Sequence, residues 1–63
     1  MTKSETRELN KLTALANVAD IGYLARSYSA LIRSTRTVAA RNAMLVEAGA
    51  IPAVLSHPDF IIS

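Results

Sequence analysis

Arg26, Arg33, Arg36 and Arg41 lie in a stretch, residues 21–46, that contains no acid. An arginine fork matches two phosphate oxygens at once, and a basic stripe gathers nucleic acid by releasing its counterions. Projected at 100° per residue on one helix, the four fall within about 140° of each other. They are the candidate phosphate contacts of this chain, set against the ordinary alternative of a solvated helix face. Net charge is only +2, and lysine is confined to the first 11 residues. Tyr23 and Tyr28 have the ring type that stacks on bases. Tyr28 falls in the apolar register described below, which favours core packing, whereas Tyr23 lies toward the arginine flank. His57 with Asp59 nearby has the residue types of a general base and its orienting acid, although a lone histidine in a terminal turn is more often structural. Ser34, Thr35 and Thr37 beside Arg33 and Arg36 carry hydroxyls that a kinase can reach. No glycine-rich phosphate loop, paired-carboxylate site or nucleophile motif is found. The expectation is a binding protein and not an enzyme, with no cofactor and no metal.

The elements that must carry these residues are helical. Gly and Pro are almost missing before residue 49, with Gly22 the exception, and Ala, Leu, Arg and Glu favour helix. Thr2 and Glu5 stand at capping-box spacing. Leu9, Leu12, Ala16 and Ala19 follow at steps of three and four, with Leu15 beside them, so a short first helix is expected from about Lys3 to Asn17. Asn17 or Asp20 then caps the next helix.

From there Ile21, Leu24, Tyr28, Leu31, Thr35, Val38, Asn42 and Leu45 step by 3, 4, 3, 4, 3, 4, 3, widened by Ala25, Ile32, Ala39 and Val46. Thr35 and Asn42 are polar positions in this heptad seam, of the kind that fix register at a cost in stability. Two forms of the second helix stay open. Unbroken, residues 20–48 span roughly 42 Å, and the stripe needs a second copy to cover it. Broken near residues 33–37, where Ser34 can cap a new helix, the chain makes a three-helix unit with a short tail. Glu47-Ala48-Gly49 places glycine where a left-handed C-cap is wanted. Pro52 suits the first position of a short C-terminal turn or helix. Pro58 disfavours helix at His57, and Phe60, Ile61 and Ile62 form an apolar end expected to pack on the helices or on a partner.

Residues 42–59, NAMLVEAGAIPAVLSHPD, are similar to the end of an armadillo repeat. In that family an apolar helix runs into an Ala-Gly-Ala-Ile-Pro turn, then a leucine-rich helix and a Ser-Pro-Asp-like corner. The preceding ALIR, residues 30–33, sits where the family places the end of its second helix. The resemblance implies that Gly49 and Pro52 make the inter-helix turn and that Leu45, Ile51, Val54 and Leu55 are core. It also implies interaction in place of catalysis, since one such repeat cannot cover its own apolar face.

Sixty-three residues bound the rest. The expectation is a single small all-α domain, residues 1–63. A chain this short buries only about 60% of its unfolded surface, and cysteine is absent, so disulfides cannot staple it. Oligomerisation or docking on a larger protein is the remaining route. A helical dimer is the favoured form, assembled through Ile21, Leu24, Tyr28, Leu31, Val38 and Leu45. No run of 18 apolar residues is present to span a membrane. The polar start, MTKSETRELNK, does not read as a signal or transit peptide, and a cytoplasmic location is expected. The second functional reading is a nucleic-acid binder using Arg26, Arg33, Arg36 and Arg41. Its helix-turn-helix form, with residues 38–48 in the groove, would present mostly Ala, Met, Leu and Val, which read base edges poorly.

Overall fold

The computed structural model describes residues 1–62, and all regular structure in it is helical: α1 (Lys3–Leu15), α2 (Ile21–Ser34), α3 (Val38–Gly49) and α4 (Pro52–Leu55). Each of the three longer helices begins where a side-chain oxygen takes an orphan amide. The capping box at α1 is complete. Thr2 Oγ1 accepts from the Glu5 amide at 3.1 Å, and the Thr2 amide donates to Glu5 Oε1 at 2.8 Å. Asp20 caps α2 through the Tyr23 amide at 3.3 Å, and Thr37 caps α3 through the Ala40 amide at 3.4 Å. α1 stops at Leu15, short of the expected Asn17, where the Ala16 amide shifts to the Thr13 carbonyl at 3.3 Å, three residues back, in a tightened last turn.

The long second helix is broken. Ser34 Oγ and Thr35 Oγ1 both donate to the Leu31 carbonyl, at 2.9 and 2.8 Å. In a continued helix that carbonyl would take the Thr35 amide, which instead bonds Ile32 at 3.2 Å. Hydroxyls that back-bond in this way compete with the helix ladder. Thr35 then turns extended, at φ −88° and ψ 132°, and Thr37 starts α3 afresh. Thr37 is thus the cap that Ser34 was expected to be.

The stop after α3 also departs from expectation. Gly49 is the last residue of α3, and no residue, glycine included, has positive φ among those described. Pro52 is the cause. Its nitrogen carries no hydrogen for the Ala48 carbonyl, and its ring disfavours helix at Ile51. The end of α3 therefore tightens, with the Ala50 amide on Glu47 and the Ile51 amide on Ala48 at 3.2 and 3.0 Å. Ala50 itself stays right-handed, so no left-handed cap is needed.

α2 packs against α1, α3 and α4, and α3 and α4 pack on each other. The core is Leu9 and Leu12 from α1, Leu24, Ala25, Tyr28 and Ile32 from α2, Met44 and Ala48 from α3, and Val54 from α4. Two polar side chains are buried with them, each satisfied. Ser29 Oγ donates to the Arg26 carbonyl at 3.1 Å and lies 3.4 Å from the Asp59 carbonyl. Thr35 Oγ1, besides the Leu31 carbonyl, lies 3.2 Å from Met44 Sδ. The Cα radius of gyration is 10.5 Å, close to the roughly 10.6 Å of a compact domain this long. Its accessible surface, 4068 Å², is near the roughly 3,950 Å² of a folded monomer of this mass. The apolar stripe of α2 is covered by the chain's own elements. Among the described residues no helix is long and apolar enough to cross a membrane.

Candidate interaction surface

The break at Thr35 divides the expected stripe into two surfaces with different fates. Leu24 and Tyr28 are 0% and 1% exposed and belong to the core, while Ile21 and Leu31 are half-buried against it. These four are held by α1, α3 and α4, so folding has already used them. Beyond the break, α3 turns a different face inward. Its buried residues are Ala40, Met44 and Ala48, spaced by four. Val38, Asn42, Leu45, Val46 and Gly49 lie within about 100° of one another on the other side. Val38 and Val46 are 73% and 72% exposed, Asn42 and Gly49 are exposed, and Leu45 is half-buried.

Both sides of α3 are therefore apolar. Its polar side chains are Arg41, Asn42 and Glu47 alone. The exposed surface continues into α4, where Leu55 is 44% exposed and its Cδ1 lies 3.9 Å from where a Cβ on Gly49 would sit. Leu55 is thus a surface residue, not the core residue the repeat resemblance implies. Of the others it implies, Val54 is fully buried, and Leu45 and Ile51 pack half-buried on the core. Between Arg41 and Asp59 the ionisable residues are Glu47 and His57, and both are half-buried. The exposed positions from Asn42 to Ser56 carry no charge.

The arginines do not share one helix face. Their common projection required an unbroken helix, and Arg36 sits instead in the extended linker with Arg41 on α3. Arg26 and Arg33, one heptad apart on α2, line one groove with Ser29, Ala30, Asp59 and Ile61. There Arg26 Nη1 is 3.0 Å from Asp59 Oδ2. The C-terminal tail thus places a carboxylate where a phosphate held by Arg26 would bind. Arg33, Arg36 and Arg41 remain exposed and make no ion pair among the described residues.

Tyr28 is buried and unavailable for stacking. Tyr23 is 41% exposed and lines a shallow groove between α1 and α2 with Glu8, Lys11 and Ser27. His57 is engaged within its own turn. Its Nδ1 accepts the Asp59 amide at 3.1 Å, and the Asp59 carboxylate, 3.9 Å from Nδ1, is committed to Arg26. An orienting acid needs a proton on Nδ1 to accept, and here Nδ1 is itself the acceptor. Of the apolar tail, Phe60 and Ile62 pack against the core and Ile61 is 51% exposed.

Three residues meet around the tail contact that sequence spacing did not bring together: Gly22, Ser29 and Asp59. Gly22 is buried, and a Cβ there would lie 2.9 Å from Asp20 Oδ2 and 3.2 Å from Arg26 Nη1. The cap carboxylate and the Arg26 guanidinium crowd this position, with the tail's His57 Nε2 at 3.6 Å, and no periodicity signals that contact. No family model matches this chain, and no curated protein or solved structure matches it.

Proposed function

We propose that this chain is a small helical protein–protein interaction module, acting through the part of the Ile21–Leu45 stripe that folding leaves outside. The observation that carries the reading is the outward side of α3: Val38 and Val46 stand 73% and 72% exposed on a helix whose opposite side is already packed. A surface helix carries polar residues opposite its core-facing stripe, and on α3 that side holds Asn42 alone among its apolar residues. A surface of that kind, continuous with Leu55 and free of exposed charge, matches a protein surface far better than a polyanion. The role is binding. The half of the stripe on α2 builds the scaffold, and Val38, Leu45 and Val46 on α3 supply the contact.

The second reading, nucleic-acid binding through Arg26, Arg33, Arg36 and Arg41, is favoured only by the exposure of the last three. Site-specific photocrosslinking in the expressing cell separates the two. A crosslinker at position 46 is expected to give discrete protein adducts, and one at position 33 none with nucleic acid. Nucleic-acid adducts from position 33, with no protein adduct from position 46, would overturn the interaction reading in favour of the second.

A further inference from the structure

We propose that His57 makes the hold of the C-terminal tail on α2 dependent on pH. The clasp is closed while the imidazole is neutral and loosens when the ring takes up a proton. One acceptor carries this inference. His57 Nδ1 accepts the Asp59 amide at 3.1 Å, which uses the Nδ1 lone pair and leaves the ring's one proton on Nε2. An imidazolium is a donor at both nitrogens, so protonation sets N–H against N–H at that distance. That bond must then open. The side chain is 28% exposed, so water reaches the ring.

Asp59 is where this bond meets the tail's hold on the helix. Its amide goes to His57, its Oδ2 to Arg26 Nη1 at 3.0 Å, and its carbonyl lies 3.4 Å from Ser29 Oγ. The residue is fixed at three points, one on the ring and two on α2. The Phe60 amide closes the same turn on the His57 carbonyl at 3.0 Å. Losing the ring as acceptor therefore loosens the turn that aims Asp59 at Arg26.

The charges around the ring oppose one another. The Asp59 carboxylate, 3.9 Å from Nδ1, attracts an imidazolium, but Arg26 already holds it, and the ring must leave the amide to reach it. On the Nε2 side, Asp20 Oδ2 and Arg26 Nη1 crowd the same position at Gly22 with opposite signs. α3, packed on α4, carries Arg41 and Glu47, and Glu47 forms no ion pair with the ring. With these charges opposed, the lost acceptor sets the direction.

Amide hydrogen exchange of the full chain tests this. It is followed from about pH 8, where histidine's charge change begins, down to the point at which the ring signals show His57 protonated. The Phe60 amide is the reporter, since it belongs to the turn and does not touch the imidazole nitrogens. Its protection, corrected for the intrinsic pH dependence of exchange, is expected to fall about two- to tenfold, the worth of one net hydrogen bond. The fall should track the ring signals. His57→Gln, which cannot titrate, should show no such step, and Asp59→Asn, which keeps the amide and loses the carboxylate, should keep it. Unchanged Phe60 protection while His57 becomes protonated overturns the proposal. The same step in folded His57→Gln would overturn it too, and its disappearance in Asp59→Asn would assign the effect to the carboxylate and overturn the role of the amide.

Discussion

Arg26 Nη1 meets Asp59 Oδ2 at 3.0 Å across 33 residues of chain, tying the C-terminal tail to the middle of α2. The two side chains are 60% and 44% exposed, so solvent screens the pair. Asp59→Asn is therefore expected to cost less than about 1 kcal/mol. Urea unfolding at low salt and at high salt checks this, and the difference between parent and variant should shrink as salt rises. A loss of several kcal/mol would mean that the tail contact is buried and not a surface clasp.

The two halves of the apolar stripe predict opposite behaviour on truncation. Leu24→Ala removes a fully buried side chain and is expected to cost about 2–5 kcal/mol, at every protein concentration. Val46→Ala removes an exposed one and is expected to stay within about 0.5 kcal/mol in dilute solution. Chemical denaturation of both variants at low concentration is the measurement. Equal costs would contradict the division of the stripe at Thr35.

Gly49→Ala carries a sign. Gly49 is right-handed in the last turn of α3, and an added Cβ would find only Leu55 Cδ1 at 3.9 Å, an ordinary contact. Alanine should therefore raise stability, by up to about 1 kcal/mol, through the lower entropy of its unfolded chain. A thermal midpoint lowered by the substitution would restore the left-handed cap that the Glu-Ala-Gly run suggests.

Much of the helical outline was legible from local chemistry. Thr2 with Glu5, Asp20 before its helix and Pro52 at a first position all act within a few residues, and each does what its spacing implies. The heptad register was legible too, but its meaning was not. Steps of three and four run from Ile21 to Leu45 without showing that Ser34 and Thr35 would turn on the Leu31 carbonyl. The polar seam position Thr35 is the end of a helix, and Asn42 is on the outside of the next. The tail clasp was hidden for a different reason. Asp59 meets Arg26 and Ser29 only through the fold, at separations of 33 and 30 residues, where no pattern rule reaches.

The pairing of Arg26 makes a prediction for the nucleic-acid reading. With Arg26 held by Asp59 and the others on three separate elements, no duplex or single-stranded oligonucleotide is expected to bind below about 100 μM at low salt. Fluorescence anisotropy with short oligonucleotides decides it. Tighter binding, with a log–log salt slope near −3 for three free arginines on duplex, would favour the nucleic-acid reading.

The central claim is that the outward side of α3 is a protein contact and the α2 side is not. Photocrosslinking in the expressing cell from position 46 and from position 31 tests it most directly. The account predicts discrete protein adducts from position 46, where Val46 is 72% exposed, and none from position 31, where Leu31 packs half-buried on the core. Protein adducts from position 31, with none from position 46, would contradict it.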